Sequence, residues 1–220
     1  MDKYQNREEL IAALTEDVTP VKLVRPKHGA ALIVFATVAA CIACIFIFGF
    51  WQGMINGEAS PYFWISNGLL ALVGASSTTA LVSSVNPRVG ALSTGPQWSV
   101  AMLGILPVAA IIGFLSFEAG HDHSIGVNDP GLLYWECAAY GLAASSVVAW
   151  AAITFLRRGA PVSLDRAGWL IGLTSGSLGA LAYNLTCPLD SLMHTGIWHV
   201  LPVFVAAVFW RYAAPPLIRW

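Results

Sequence analysis

Six long apolar runs divide the chain, at about Gly29 to Trp51, Phe63 to Val85, Trp98 to Phe117, Leu132 to Phe155, Ala167 to Cys187 and Thr195 to Trp210. A hydrocarbon core of ~30 Å is crossed by about 20 residues of helix, so each run predicts a membrane-spanning helix. A single run of this kind could be a buried helix of a soluble protein. Six of them in 220 residues leave too little polar chain to wrap them. The pattern therefore predicts an all-α integral membrane protein, a six-transmembrane-helix bundle over residues 29–214. Short loops leave room for no folded domain outside the membrane except what residues 1–28 supply, and residues 215–220 form a short C-terminal tail.

The first 28 residues are mostly polar, and the run that follows is long enough to span, so the first helix is expected to stay as an anchor rather than be cleaved as a signal peptide. Within them, Asn6 is followed three positions later by Glu9, and Leu10, Ile11 and Leu14 recur at helical spacing, with Val18 one turn further on. This predicts an amphipathic helix of about ten residues that Pro20 ends, followed by an extended Val21 to Val24 stretch. Such a short helix is marginal alone in water and must lie on lipid, dock on the bundle or bind a partner.

Composition agrees with the runs. Apolar residues make up 57% of the chain and charged residues 10%, where a soluble domain has about 25% charged. The net charge of -1 gives no global attraction to nucleic acid, so direct nucleic-acid binding by the chain is not expected. The placement of charge says more than its sum. All 11 Lys and Arg residues fall before the first run (Lys3, Arg7, Lys22, Arg25, Lys27), between the second and third (Arg88), between the fourth and fifth (Arg157, Arg158, Arg166) and after the sixth (Arg211, Arg219). By the positive-inside rule, both termini are cytoplasmic. Glu58, Glu118, Asp122, Asp129, Glu136 and Asp190 then lie at or near the outer side.

Inside the membrane, Gly168, Gly172, Gly176 and Ala180 repeat every four residues, and Asn184 continues the stripe. Small residues on one face let a second backbone approach closely, and an amide there can bond across the contact, so the stripe reads as helix packing. The hydroxyls from Ser76 to Thr79 read likewise, as groups bonding back to the preceding turn. Cys41 and Cys44 form a C-x-x-C, but in mid-helix, where burial suppresses thiolate chemistry.

Cys137 and Cys187 differ. The fourth helix runs inward from Cys137 and the fifth returns to Cys187, and at ~1.5 Å per residue both stand roughly 30 Å from the basic loop between them. They share one depth near the outer face. Glu136, His194 and His199 gather at that level. Two thiols and one or two imidazoles suit a soft or borderline metal, copper or zinc. An oxidising outer compartment would equally make the thiol pair redox-competent. His121 and His123 flank Asp122 in a polar segment that could hold a metal but reads more simply as a solvated loop.

Taken in order, these features resemble the six-span membrane anti-sigma factors of the NrsF family, negative regulators of sigma F. The resemblance covers nearly the whole chain. It is carried by Leu10, Ile11, Leu14, Asp17, Pro20 and Val21, by the 50-residue spacing of Cys137 and Cys187, by Pro188, by Trp198 and His199, and by Arg219 and Trp220. It implies a multi-pass protein of the bacterial inner membrane whose cytoplasmic N-terminal segment holds an extracytoplasmic-function sigma factor. It also implies that the outer pair, Cys137 and Cys187, responds to oxidants or heavy metals and releases that factor. Cys41, Cys44, His121 and His123 have no place in the resemblance.

Two other functions compete. A membrane thiol-disulfide oxidoreductase using a quinone normally places a C-x-x-C at an exposed helix end, whereas the C-x-x-C here is buried. A small transporter would show paired intramembrane charges or an obvious broken-helix repeat, and neither is evident in the runs.

Overall fold

A computed structural model of the chain describes residues 2–16, 24–85, 94–118, 135–159 and 161–218. Among these the architecture is entirely helical, with no strand. The helices are α1 (Asp2–Glu16), α2 (Pro26–Phe48), α3 (Gln52–Ile55), α4 (Pro61–Ser83), α5 (Gly95–Leu103), α6 (Ile105–Glu118), α7 (Glu136–Leu156), α8 (Leu164–Asn184), α9 (Leu192–Trp198) and α10 (Leu201–Ile218).

Local chemistry sets the boundaries. Pro26 and Pro61 stand in the first turns of α2 and α4, where a missing N–H costs nothing. Ser60 caps α4 by accepting from the N–H groups of Tyr62 and Phe63. Gly49, at φ +84°, closes α2 and donates its N–H to the Ile45 carbonyl. Two of the expected spans are interrupted. Pro107 lacks the N–H that would reach Leu103, and Pro202 the one that would reach Trp198; α5 ends at Leu103 and α9 at Trp198. The third and sixth runs are thus each two helices in series, α5–α6 and α9–α10, against the expectation that no span is broken.

Five segments are long and apolar enough to cross a membrane: Pro26–Phe48, Pro61–Ser83, Gly95–Ile112, Glu136–Leu156 and Leu192–Ile218. The remaining run corresponds to α8, which has the length, at 21 residues, but carries Asp165, Arg166 and many small or polar side chains. It lies at the centre of the bundle, packed by α10, α7, α4 and α2. Its Gly168, Gly172 and Gly176 lie against the α10 backbone. A Cβ at Gly172 would sit 2.4 Å from both the Ala206 carbonyl oxygen and the Ala207 Cα, and one at Gly176 would sit 2.8 Å from the Val203 Cα. Gly179 abuts Ser145 of α7 equally closely, and Asn184 Nδ2 donates to Ser66 Oγ of α4 at 3.5 Å.

By contrast α2 is held along one seam, Gly29, Ile33, Ala36, Ala40 and Cys44, while Phe35, Ile42 and Phe46 point outward. Outward apolar side chains of this kind on α2, α5, α6 and α10 suit lipid and not water.

Two boundary expectations change. The N-terminal helix begins at Asp2 and runs 15 residues, so Asn6 lies inside it rather than at its start. Continuing through Pro215 and Pro216, α10 reaches the fully buried Ile218, so most of the expected tail belongs to the last helix. In the fourth span α7 begins at Glu136, and Leu132 lies outside the described residues. Val18, the 21–23 stretch, Arg88, His121, His123 and Asp129 lie outside the described residues.

Candidate functional site

Cys137, Cys187, His194 and His199 come together at one end of the bundle. Cys137 is the second residue of α7, Cys187 sits in the connector that follows α8, His194 is in α9, and His199 caps its C-terminus. All four side chains are buried, and their donor atoms lie within 4.8 Å of one another. Cys137 Sγ is 3.8 Å from Cys187 Sγ. Cys187 Sγ is 3.4 Å from His194 Nε2, which is 3.1 Å from His199 Nε2.

The break between α9 and α10 makes the histidine contact possible. In an unbroken helix, residues five apart point about 140° away from each other. With Pro202 ending the helix at Trp198, the chain turns at His199 and Val200, and the two rings meet edge to face with centroids 5.0 Å apart.

Three of the six donor spacings are close to those around a tetrahedral cation, and the others stay within 4.8 Å. Bonds of ~2.3 Å to sulfur and ~2.0–2.1 Å to nitrogen set two sulfurs about 3.8 Å apart, sulfur and nitrogen about 3.6 Å apart and two nitrogens about 3.3 Å apart. Two thiolates and two imidazoles supply a donor set that copper or zinc favours, and four protein donors leave no open position for substrate. The hydrogen bond with Cys137 and then burial hold the Cys187 thiol well above the ordinary thiol range, so a cation entering here displaces protons.

The surroundings hold the donors in place. Asp190, in the same connector as Cys187, accepts from both the N–H and the hydroxyl of Ser60. Ser191 Oγ accepts from the His194 N–H and orders the first turn of α9. Tyr183 of α8 lies 3.6 Å through its Oη from Cys137 Sγ and stacks on His199 at an interplanar angle of 18°. Sequence spacing singled out none of Ser60, Ser191 and Tyr183. Their one trace is position: Tyr183 stands a helical turn before Cys187, and Ser191 stands three residues before His194, the N-cap register.

Among the other candidates, Cys41 and Cys44 belong to the same apolar cluster as Cys137 and Cys187 but not to the four-donor group. Glu136 adjoins Cys137 in sequence and is not one of the donors. Leu10 and Ile11 stand on α1 at 57% and 54% exposure, far from burial in the bundle.

A family model described as negative regulator of sigma F matches residues 14–220. The chain is 27% identical over 165 residues to the probable anti-sigma-F factor NrsF of Azospira oryzae, covering 73% of each protein. It is 26% identical over 223 aligned positions to the anti-sigma-F factor NrsF of Caulobacter vibrioides, covering 97% of this chain and 99% of that protein. No solved structure matches it significantly.

Proposed function

Because this chain belongs to the NrsF family of negative regulators of sigma F, we propose that it is a membrane-bound anti-sigma factor and a regulator rather than an enzyme. Its N-terminal segment holds an extracytoplasmic-function sigma factor through Leu10, Ile11, Leu14 and Val18. Its outer-side cluster of Cys137, Cys187, His194 and His199 takes up a soft or borderline cation, copper or zinc, and that event releases the factor. All six spans, α8 included, cross the bacterial inner membrane with both termini in the cytoplasm.

The observation that carries the sensing half is the gathering of four buried donors within 4.8 Å, three of whose spacings, 3.8, 3.4 and 3.1 Å, are near those of a tetrahedral ion. A bound ion would tie α7, the α8–α9 connector and α9 with its C-cap into one unit, which is the kind of differential contact a two-state switch needs. Moving such a switch from 1:99 to 99:1 takes about 5.5 kcal/mol, within reach of a structural metal bond.

Oxidation of the thiol pair is the second reading, favoured by the 3.8 Å approach of the two sulfurs. A disulfide needs ~2.05 Å and would remove both sulfur ligands from a cation.

The test uses full-length protein in lipid nanodiscs, prepared with whatever sigma factor co-purifies. Copper(I) or zinc is added in one arm, a thiol oxidant in another, and the thiol state of Cys137 and Cys187 is read by alkylation and mass shift. Release by the cation with both thiols still reducible supports the metal reading. Release by the oxidant alone, with the pair cross-linked, replaces it with the redox one. A preparation that retains no sigma factor under any condition overturns the regulatory proposal.

A further inference from the structure

We infer that Tyr183 is a positioning residue of the four-donor cluster, its phenol donating a hydrogen bond to the Cys137 sulfur and its ring backing His199. The inference rests on the metal reading above and says which side chain outside the donor set sets the strength of the site.

Three observations carry it. A buried phenol hydroxyl requires a partner, and among the described residues the partner of Tyr183 Oη is Cys137 Sγ, at 3.6 Å. A metal-bound thiolate has no proton to give, so in the loaded site the phenol donates and the sulfur accepts. Next, the same ring lies nearly parallel to His199, 18° between planes and 5.9 Å between centroids, so one side chain touches a sulfur donor and a nitrogen donor borne by different helices. Finally, Tyr183 is itself fixed, with the Phe48 ring edge-on at 5.3 Å and the Tyr140 ring at 5.4 Å, and it is carried by the central helix α8. Its hydroxyl therefore cannot swing away without disturbing an aromatic cluster drawn from α2, α7 and α8.

The chemistry follows from the direction of the bond. A hydrogen bond to a thiolate withdraws electron density from sulfur and stabilises the anionic ligand a cation requires. Groups that hold metal ligands in this way typically account for 10- to 100-fold in affinity. Loss of the phenol oxygen should leave four donors in place yet weaken the site, and it should let sulfur donate more freely, moving the thiolate-to-metal charge-transfer band to longer wavelength.

Cobalt(II) is the probe, titrated into the full-length protein in detergent under reducing conditions, against wild type and Tyr183→Phe. The expected wild-type result is one cobalt with tetrahedral d–d bands and thiolate charge-transfer bands. For Tyr183→Phe it is the same stoichiometry, 10- to 100-fold weaker binding and a charge-transfer band shifted to longer wavelength. A purely structural tyrosine would change the melting temperature of the cobalt-free protein and leave that band where it was. Binding within threefold of wild type at an unshifted band overturns the inference while the metal reading stands. Absence of cobalt binding to wild type overturns both. Should Tyr183→Phe fail to fold, replacing all tyrosines by 3-fluorotyrosine strengthens the phenol donor with little change in size. The band should then move to shorter wavelength, and an unmoved band refutes the hydrogen bond.

Discussion

Asp190 grips Ser60 with both carboxylate oxygens, one accepting from the serine hydroxyl at 2.7 Å and the other from its backbone N–H. The Ser60 hydroxyl oxygen in turn accepts from the first free N–H groups of α4. A second tie runs from the Trp51 N–H to the Leu185 carbonyl at 3.3 Å. The connector that bears Cys187 and leads into His194 is therefore fastened near both ends to the α2–α4 hairpin, and movement of those two donors is felt at the N-terminus of α4.

Substituting Asp190→Asn removes the charge and leaves one acceptor for the Ser60 N–H, with an NH2 against the Ser60 hydroxyl, which must then accept rather than donate. The expected cost is about 1–3 kcal/mol of stability, with weaker cation binding although no donor is lost. Thermal melting and cobalt titration of the variant in detergent check it; a cation affinity equal to wild type would show that the connector holds its shape without the clamp.

Removing a donor should act differently from loosening one. Cys137→Ser, Cys187→Ser and His199→Ala are each expected to retain the sigma factor in the presence of copper(I) or zinc that releases it from wild type. Metal at about 100 times its dissociation constant stabilises a native site by about 2.7 kcal/mol. A melting-temperature rise with zinc that a chelator reverses is therefore expected for wild type and should vanish in these variants.

Both thiols must lose their protons to become ligands, and Cys187 is held above the ordinary range first by its hydrogen bond with Cys137 and then by burial. A raised thiol stays protonated at neutral pH and loses its proton as pH rises. Apparent cation affinity should accordingly increase about tenfold per pH unit for each thiol still protonated, and alkylation of Cys187 should be slow at pH 7 and accelerate with pH. Affinity measured between pH 6 and 8 with a flat profile would mean that the thiols are not the ligands.

Packing of α8 gives a prediction independent of any signal. Gly172→Ala places a methyl 2.4 Å from α10 backbone atoms, which cannot retreat as a side-chain tip could, and should destabilise the bundle by about 1–3 kcal/mol. Gly68→Ala, with nothing within 4 Å of the new methyl, should be neutral or stabilising by up to about 1 kcal/mol. Comparative melting of the two variants checks the contrast.

Leu10→Asp and Ile11→Asp each delete an exposed apolar anchor on α1. Burying one such side chain is worth about 1.5–3 kcal/mol, so each should weaken sigma-factor retention by roughly 10- to 100-fold without shifting the melting temperature of the bundle.

The helices were legible wherever residues face lipid, because lipid selects an unbroken apolar run. α2 is the clearest case, and its sequence run and its helix agree within three residues at each end. α8 was read as a span like the rest yet is the one not apolar enough to qualify by composition, because its neighbours are helices: glycine and serine at the contacts lower its hydropathy while permitting the close packing that buries it. The interruptions at Gly104 and His199 were written in Pro107 and Pro202 but hidden by the apolar residues around them. Equal depth brought Cys137 and Cys187 to one level, yet depth carries no information about helix rotation. Tyr183 and Ser60 came from contacts between distant segments, which no periodicity along one segment encodes.

The single seam by which α2 holds to the bundle has a mechanical consequence. Most of that helix's outer surface, Phe35, Ile42 and Phe46 among it, touches no protein. Its tilt is set in part by the thickness and stiffness of the surrounding acyl chains. Since α2 is also the segment that leads back toward α1, a change in bilayer thickness would act as a mechanical load on the strut between the Cys/His cluster and the N-terminal segment.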